Sequence, residues 1–325
     1  MVAGVTDIEV CNGPSALEQA RAGRLRWAVN ISTWSPCGEA EGAEFQFLLS
    51  LISSPEERKG VMQYVFWDDK KRALISRLLT RRASTAVLGL TSFDGVSISR
   101  TKGGKPFLSA PRPPASRHDL ANFNFNVSHE GDWVVLASEP LCVCGIDVAA
   151  PPSRRKGQQP DIFETFAEYL TADEWRVVRA EAAADRGNVE QPGYGAFQRF
   201  WSAKESFIKA RGDGLAFEIG RAGFSFQPPI AGEGGTAGRV VVDGKSLPQW
   251  AFHQTAFGED HWITVARGPT QDVVDEIGAF RQTFAKPTPS FGASAWQAEL
   301  DRENPPFCEV SVGFLVPEDA IESFV

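Results

Sequence analysis

Three short segments of the chain carry side chains that could act together on a phosphate group. Asp147 lies near the end of the apolar run Gly145–Val148, and Glu205 and Lys209 lie one helical turn apart within Trp201–Lys209. Two carboxylates from separate elements suit a hard cation such as Mg²⁺, which prefers oxygen ligands. A lysine beside them supplies positive charge for a phosphate, and a carboxylate can accept a proton from a hydroxyl. These residue types therefore indicate phosphoryl-type chemistry.

The third segment is the polar tetrad Ser128-His129-Glu130-Gly131. Placed between two strands, such a tetrad offers a hydroxyl, backbone N–H groups and an imidazole to a phosphate. Structural alternatives stay open for each segment. A lone histidine is more often structural than functional, an aspartate at a strand end can cap the next turn, and a glutamate four residues before a lysine can be a surface ion pair of about 0.2–0.5 kcal/mol.

A helix positions the Glu205–Lys209 pair. At about 100° per residue, one narrow apolar stripe forms the expected core face, and its members are Phe200, Ala203, Phe207 and Ala210. Glu205 and Lys209 lie on the opposite side, flanked by Trp201 and Ile208. Large apolar groups beside an ion pair indicate a partly walled site rather than an open surface. Gly212 and Gly214 then end the helix.

Strands position the other two segments. Phe123–Val127 alternates apolar and polar residues, and Trp133–Ala137 and Leu141–Val148 form a further strand pair around Ser138-Glu139-Pro140. The chain also shows a coarse repeat in which strand, helices and more strands occur twice, with the join between Glu139 and Gly145. We therefore predict an N-terminal half of residues 1–140 and a C-terminal half of residues 141–325, with an extension from about residue 281.

Composition narrows the class of protein. No run of about 18 apolar residues supports a membrane-spanning helix, and the first nine residues resemble neither a secretory signal nor a transit peptide, so a cytoplasmic location is expected. The formal net charge of −8 argues against nucleic acid as a partner. The segment Lys70–Arg82 nevertheless holds six basic residues and no acid, which suits a small polyanion. The five cysteines are odd in number and scattered, so no disulfide framework is expected, and Cys142 and Cys144 are expected to be buried thiols.

In combination and order, these segments resemble the 4'-phosphopantetheinyl transferases, specifically the larger, pseudo-symmetric class that includes the enzymes activating eukaryotic aminoadipate-semialdehyde dehydrogenase. The resemblance covers about residues 27–266. The matching segments are Asn126–Gly131, Gly145–Val148, Trp201–Lys209, Gly104–Pro106 and Gly212–Leu215. It implies an α+β fold of two pseudo-symmetric halves, each an antiparallel sheet packed with helices, with coenzyme A in the cleft between them and a monomeric chain.

The resemblance also implies an activity. Enzymes of this family transfer the phosphopantetheine arm of coenzyme A to a serine of an apo carrier protein and release adenosine 3',5'-bisphosphate. By motif position, Asp147 and Glu205 are expected to bind Mg²⁺, and Glu205 to act as the base. The remaining expected contacts to coenzyme A are Lys209 and, more weakly, Lys204 at the pyrophosphate, Ser128 and His129 at the 3'-phosphate, and Lys105 and Arg100 at phosphate and adenine.

The sequence departs from the family pattern at three positions. Ala149 stands where some relatives have a third acid, and Glu130 stands where others have a glutamine, so Glu130 is the expected third metal ligand. Asp68 stands where relatives of the eukaryotic type are expected to carry an arginine for coenzyme A. We therefore predict that one residue of Lys70–Arg72 replaces that arginine.

The expected partners are apo carrier proteins or domains of fatty acid, polyketide, nonribosomal peptide or lysine pathways. The basic segment Arg154–Lys156 could steer an acidic carrier, although a solvated loop without that role is the alternative. Two rival functions remain. A module that binds coenzyme A without chemistry would need no metal-ligand pair. A Mg²⁺-dependent nucleotide hydrolase is disfavoured because the chain has no P-loop of Walker spacing.

Overall fold

The computed structural model describes residues 9–151, 161–184, 193–227, 236–286 and 292–324. Arg154–Lys156, the segment expected to steer a carrier, lies outside these residues. The described helices are α1 (Ala16–Ala22), α2 (Ala43–Ser50), α3 (Pro55–Met62), α4 (Trp67–Leu88), α5 (Ile162–Thr165), α6 (Ala172–Ala184), α7 (Tyr194–Arg211), α8 (Ala293–Leu300) and α9 (Ile321–Phe324). None of them is long and apolar enough to cross a membrane.

The described strands form two larger sheets and one separate pair. Their bounds are β1 (Glu9–Cys11), β2 (Arg26–Asn30), β3 (Ser97–Arg100), β4 (Pro106–Ala110), β5 (Asn124–Glu130), β6 (Trp133–Glu139), β7 (Val143–Ala149), β8 (Ala222–Phe226), β9 (Thr236–Val242), β10 (Lys245–Ser246), β11 (Ala251–Phe257), β12 (His261–Gly268) and β13 (Cys308–Val310). The first sheet has the order β1-β13-β2-β6-β5, and the second has the order β10-β9-β11-β12-β7, with β8 beside β9.

The two sheets repeat one arrangement. In the first, β2 lies beside β6, whose hairpin partner is β5, and in the second, β7 lies beside β12, whose hairpin partner is β11. A long helix follows the leading strand in each case, α4 after β2 and α7 after β7. These features confirm the predicted α+β fold of two similar halves. The boundary at residue 140 stays a prediction, although β6 ends at Glu139 and β7 begins at Val143.

Each long helix buries an apolar face. On α4, Leu74, Ile75, Leu78 and Leu79 are all fully buried, within the core of the first half. On α7 the predicted stripe is buried as expected, because Ala203, Phe207 and Ala210 have no exposed surface and Phe200 has very little. This burial leaves the opposite side of α7 facing the first half of the chain, where it can present Glu205 and Lys209.

The C-terminal tail returns to the first sheet. Strand β13 lies between β1 and β2 and runs parallel to β2, whereas the other pairs in these sheets are antiparallel. Cys11 and Cys308 lie directly opposite each other and form a disulfide across 297 residues of sequence. The sequence analysis expected no disulfide framework and did not predict this single bond, because only the fold brings the two ends together. Cys142 and Cys144 are buried free thiols, as predicted.

Candidate active site

A row of side chains on β5 connects the two sheets. Every second residue of this strand accepts a hydrogen bond from a backbone N–H of β7 or of the residue after it, with a constant offset of 20 residues. The acceptors and donors are Asn124 and Cys144, Asn126 and Ile146, Ser128 and Val148, and Glu130 and Ala150, at 2.9, 2.9, 3.4 and 2.9 Å. Buried backbone N–H groups need such partners. The row therefore fixes β7 against β5 and places Asp147 beside Ser128.

Asp147, Ser128 and Lys209 form a compact hydrogen-bonded group. The Ser128 hydroxyl donates to Oδ1 of Asp147 at 3.0 Å, and the Lys209 ammonium lies 2.5 Å from the same Oδ1 and 2.9 Å from Ser128 Oγ. The second oxygen of Asp147, Oδ2, is buried and has no hydrogen-bond partner. An unsatisfied buried carboxylate oxygen is costly, so this atom is a candidate for binding a ligand.

The pKa values of three carboxyl groups are raised in this region. Burial raises the pKa of Asp147, although Lys209 and Ser128 oppose the shift. Burial also raises the pKa of Glu205, and the charge of Asp147 adds to that effect. For the exposed Glu130, desolvation by the neighbouring protein raises the pKa, and the Asp147 charge contributes in the same direction. Glu205 and Glu130 each lie close enough to Asp147 for its charge to raise their pKa, which supports placing the three acids at one site despite their distance in sequence.

The donor set suits Mg²⁺, although the three carboxylates are not gathered tightly. Asp147, Glu205 and Glu130 are not among the groups of described residues whose ligand atoms all lie within 4.8 Å of one another. The unpartnered Oδ2 of Asp147 and the repulsion that its charge exerts on Glu205 and Glu130 both fit a divalent cation with oxygen ligands. The Lys209 ammonium offsets the charge of Asp147. One oxygen of Glu130, Oε2, is already bound to the Ala150 N–H.

A cleft of about 690 Å³ adjoins this group and has walls from both halves of the chain. Its lining includes side chains of α4, β3, β5 and α7 and the glycine turns that follow β3 and α7. The lining residues that bear on its chemistry are Tyr64, Arg77, Arg100, Lys105, Ser128, His129, Glu205, Ile208, Lys209 and Leu215. A cleft of this size holds a drug-sized or cofactor-sized molecule. Because its cations outnumber Glu205, it suits an anion.

Lys105 reaches the cleft, but its ammonium is used inside the protein. It donates to the backbone carbonyls of Cys144 and Lys209 at 2.6 and 2.9 Å, joining β7 to the end of α7. Burial lowers the pKa of Lys105 to about 8. In this structure Lys105 therefore does not have the position expected for a phosphate contact, because its ammonium is bonded to these two carbonyls. Arg100 lines the cleft, is an exposed residue and donates to the Gly104 carbonyl at 2.9 Å.

His129 lies on the cleft wall next to Ser128. Desolvation by its surroundings, together with the charges of Lys209 and Arg72, lowers the pKa of His129 below its usual range. The imidazole is therefore neutral near pH 7 and can donate a hydrogen bond to a phosphate without adding a permanent charge.

Lys204 does not reach the cleft, contrary to the expectation that it contacts pyrophosphate. Its side chain is fully buried in the second half, where the ammonium lies 2.9 Å from Glu174 and also bonds the Ala222 carbonyl. Glu174 in turn accepts backbone N–H groups of Thr171 and Phe224 at 2.7 Å each. Lys204 thus joins α6, α7 and β8, which is a structural task.

The basic segment Lys70–Arg72 lies outside the cleft lining, against the expectation that it replaces the missing arginine. Lys71 is paired with Asp68 and the Ile31 carbonyl, and Arg72 with Asp69 and the Gly131 carbonyl. Arg77, one turn further along α4, does line the cleft. The sequence shows Arg77 only as a member of the basic segment Lys70–Arg82, because its helix position alone does not indicate which face meets the other half.

Comparison with known sequences identifies the family. Residues 32–141 match the family described as "4'-phosphopantetheinyl transferase, N-terminal", and residues 143–266 match the "4'-phosphopantetheinyl transferase superfamily". The chain belongs to the 4'-phosphopantetheinyl transferase superfamily. The candidate site therefore combines residues of both matched segments, with Ser128 and Glu130 in the first and Asp147, Glu205 and Lys209 in the second.

Individual phosphopantetheinyl transferases show the same relationship. The chain is 34% identical over 245 residues to the L-aminoadipate-semialdehyde dehydrogenase-phosphopantetheinyl transferases of Rattus norvegicus and Homo sapiens, covering 74% of this chain and 74% of each relative. It is 29% identical over 168 residues to a 4'-phosphopantetheinyl transferase of Bacillus subtilis, covering 51% of this chain and 63% of the relative. The similarity to the first two extends over most of both halves.

Proposed function

We propose that the chain transfers the 4'-phosphopantetheine arm of coenzyme A to a serine hydroxyl of an apo carrier protein and releases adenosine 3',5'-bisphosphate. The observation that carries this proposal is the unpartnered Oδ2 of Asp147 beside Lys209, at the edge of a basic cleft between the halves. Family membership supports phosphopantetheinyl transfer in general, and the cleft supports an anionic co-substrate of the size of coenzyme A.

The residues of the cleft have separate proposed roles in the transfer reaction. Glu205 is the proposed general base: its raised pKa brings the carboxylate closer to the range in which it can accept the serine proton at neutral pH. Lys209 neutralises charge on the pyrophosphate as the P–O bond to the leaving group breaks. Ser128 and His129 offer hydrogen bonds to phosphate oxygens from the wall of the cleft. Asp147 orients Lys209 through their 2.5 Å contact.

Mg²⁺ is the proposed cofactor, and Asp147, Glu205 and Glu130 are the residues that would hold it. When bound, the ion supplies positive charge that stabilises the developing negative charge on the pyrophosphate oxygens. Glu130 would contribute through Oε1, because Oε2 accepts the Ala150 N–H.

Transfer can be tested with coenzyme A, Mg²⁺ and a panel of apo carriers from fatty acid, polyketide, nonribosomal peptide and lysine pathways. Intact-mass analysis should show a carrier that gains one phosphopantetheine arm. A protein that only binds coenzyme A would leave every carrier unmodified, and a nucleotide hydrolase would consume the co-substrate without modifying a carrier. The carrier that reacts fastest would decide whether holo-acyl-carrier-protein synthase is the appropriate description.

The proposed function leads to further expectations about the state of the protein. One chain supplies both walls of the cleft, so a monomer is sufficient for activity. A cytoplasmic location, where coenzyme A and apo carriers are available, remains part of the proposal. Arg154–Lys156 could raise the association rate with an acidic carrier, which a salt-dependent rate constant would reveal.

A further inference from the structure

The C-terminal tail returns from the second half of the chain to the first. It lies outside both family matches, the second of which ends at residue 266. Strand β12 ends at Gly268 in the second sheet, whereas β13 lies in the first sheet, where the Cys11–Cys308 disulfide also holds it. The tail therefore has to cross between the halves, and residues 299–304, the strap, contact both of them.

The strap is bound by a buried arginine of the second half. Arg267, near the end of β12, has no exposed surface. Its Nη2 donates to the backbone carbonyls of Leu300 and Arg302 at 2.5 and 2.8 Å. The last carbonyls of a helix have no partner within the helix, and a positive charge is favourable beside them. Arg267 thus caps the C-terminal end of α8 and attaches the strap to β12.

The strap is also bound by two arginines of the first half. Arg24, between α1 and β2, pairs with Glu299. The Nε of Arg26, on β2, donates to Oδ1 of Asn304 at 2.8 Å. Both arginines pair in addition with Glu139 at the end of β6, and both are buried, as are the two glutamates. The strap is thus fixed to the first half by side chains that β6 holds in place.

Together these contacts form a buried cluster of three arginines and two glutamates. Burial would raise the pKa of Glu139, but the three arginines together lower it below its ordinary value. Burial lowers the pKa of Arg267, and the charges of Arg24 and Arg26 add to that shift. The arginines of the two halves therefore repel each other, and the carboxylate of Glu299, supplied by the tail, offsets part of this repulsion.

The strand pair that carries the cluster also carries the candidate site. In the register of β12 and β7, Arg267 lies opposite Cys144, and Thr264 lies opposite Asp147. The cleft beside Asp147 has walls from both halves. A ligand that contacts both walls at once requires one particular mutual position of the halves, and the strap is a contact that can fix this position.

We propose that Glu299 and Arg267 are positioning residues for coenzyme A. Through the strap they hold the two halves in the arrangement that binds the ligand across the cleft. This inference rests on the proposed function, because it takes coenzyme A as the ligand. The apparent Kd of a ligand rises in inverse proportion to the fraction of protein in the binding arrangement, whereas a saturating ligand draws the whole population into it. The strap therefore acts on affinity rather than on kcat.

The proposal is tested by calorimetry with coenzyme A and by steady-state kinetics with the best carrier. Glu299→Gln removes one of the two anions of the cluster, and Arg267→Met removes the donor that attaches the strap to β12. If the binding arrangement falls to about a tenth of the population, the Kd and the KM of coenzyme A rise about tenfold in each variant. The kcat should stay within about twofold of the unmodified protein, as for a loss of ground-state affinity alone.

Lys204→Met is the matched control for a loss of stability. It breaks a buried ion pair with Glu174, but both members of this pair lie within the second half. Urea unfolding should show a loss comparable to that of Glu299→Gln, while the Kd of coenzyme A stays unchanged. Asn304→Ala is a milder variant of the strap, because Asn304 is only partly buried and loses one hydrogen bond to Arg26. It should fold normally and raise the Kd by a smaller factor.

The proposal is overturned if the variants of Glu299, Arg267 and Asn304 all bind coenzyme A with the Kd of the unmodified protein, since the tail would then contribute stability alone. It is also overturned if Lys204→Met raises the Kd by the same factor as Glu299→Gln for the same loss of unfolding free energy. A failure of the proposed function has a different signature, in which the unmodified protein binds coenzyme A but leaves every carrier unmodified. The Kd values of the variants would decide the role of the strap even then.

Discussion

The ammonium of Lys209 lies 2.5 Å from Oδ1 of Asp147, while Oδ2 of the same carboxylate is buried without a partner. The two residues are 62 positions apart in sequence. Their contact brings one positive and one negative side chain to the edge of the cleft, with Glu205 close enough to feel both charges. Asp147 can thus hold Lys209 by one oxygen and offer the other to a cation.

Asp147→Asn is predicted to impair transfer strongly. The amide keeps the shape but removes the charge that orients Lys209 and that would bind Mg²⁺. The loss of such preorganised electrostatic contacts typically costs about 100- to 1,000-fold in kcat, and we expect kcat/KM for transfer to fall by a comparable factor. Asp243→Asn is the matched control, since Asp243 is an exposed aspartate paired with Arg221. Activity of Asp147→Asn within threefold of the unmodified protein would contradict the proposed role.

Mg²⁺ binding is predicted to weaken as the pH falls. Desolvation raises the pKa values of Asp147, Glu205 and Glu130 above their ordinary values in the metal-free protein. Protons therefore compete with the cation at a higher pH than for exposed acids, and binding should release protons. Calorimetry in buffers of different ionisation enthalpy measures that release, and it should grow between about pH 7 and pH 5 as more of these groups carry a proton to release.

The same competition predicts a shift in the pH–rate profile. The acid limb of kcat/KM should move to lower pH when the Mg²⁺ concentration is raised, because the cation and the proton share the carboxylates. Glu205→Gln removes one of these titrating groups and should reduce the proton release. If the acid limb of kcat/KM stays at the same pH over a hundredfold range of Mg²⁺ concentration, these acids do not bind the metal.

Sequence periodicity was sufficient for the helix that carries the site. The apolar stripe of α7 follows from local spacing, which is why the burial of Phe207 and the outward position of Glu205 could be predicted. The same spacing also indicates that Lys204 does not share the outward position of Glu205. On an ideal helix Lys204 lies about 60° from Phe207, whereas Glu205 lies about 160° away, so Lys204 flanks the core side. A match to the family motif does not show that Lys204 and Glu205 lie on different sides of the helix.

Other features depend on contacts between distant segments and could not be read from local patterns. The alternation in β5 predicted a strand, but not that Asn126 and Ser128 would bond the backbone of β7. The Cys11–Cys308 disulfide requires the tail to enter the first sheet, which no spacing of cysteines reveals. The place of Arg77 in the cleft likewise depends on how α4 packs against the other half of the chain, which no local spacing shows.

Lys204→Met is predicted to destabilise the protein rather than to impair binding of coenzyme A. The variant leaves Glu174 buried and charged without its partner, and breaking a buried ion pair in this way typically costs about 3–5 kcal/mol. Urea unfolding should show the loss, while the folded fraction should bind coenzyme A with an unchanged Kd. The double variant Lys204→Met with Glu174→Gln removes both charges and should recover part of the stability. A large increase in the Kd of coenzyme A with unchanged stability would instead show that Lys204 takes part in binding.

Exposed apolar side chains at the mouth of the cleft predict where a carrier protein makes contact. Leu215 has 106% relative exposure and Val65 has 88%, and Leu215 and Tyr64, the neighbour of Val65, line the cleft from opposite halves. A serine that reaches Glu205 through this mouth must bring its protein surface against these residues. Full burial of a large aliphatic side chain is worth about 1.5–3 kcal/mol. Leu215→Ser and Val65→Ser should therefore raise the KM for the carrier roughly tenfold each.

Steady-state kinetics with the best carrier, together with calorimetry of coenzyme A, would check this prediction. The Kd of coenzyme A should stay unchanged in both variants, because the effect concerns the acceptor. Leu17→Ser is the matched control, since Leu17 is an exposed leucine on α1 and lies outside the cleft lining. If the KM for the carrier is the same in Leu215→Ser as in Leu17→Ser, the acceptor approaches Glu205 without covering this rim, and its docking surface lies elsewhere on the two halves.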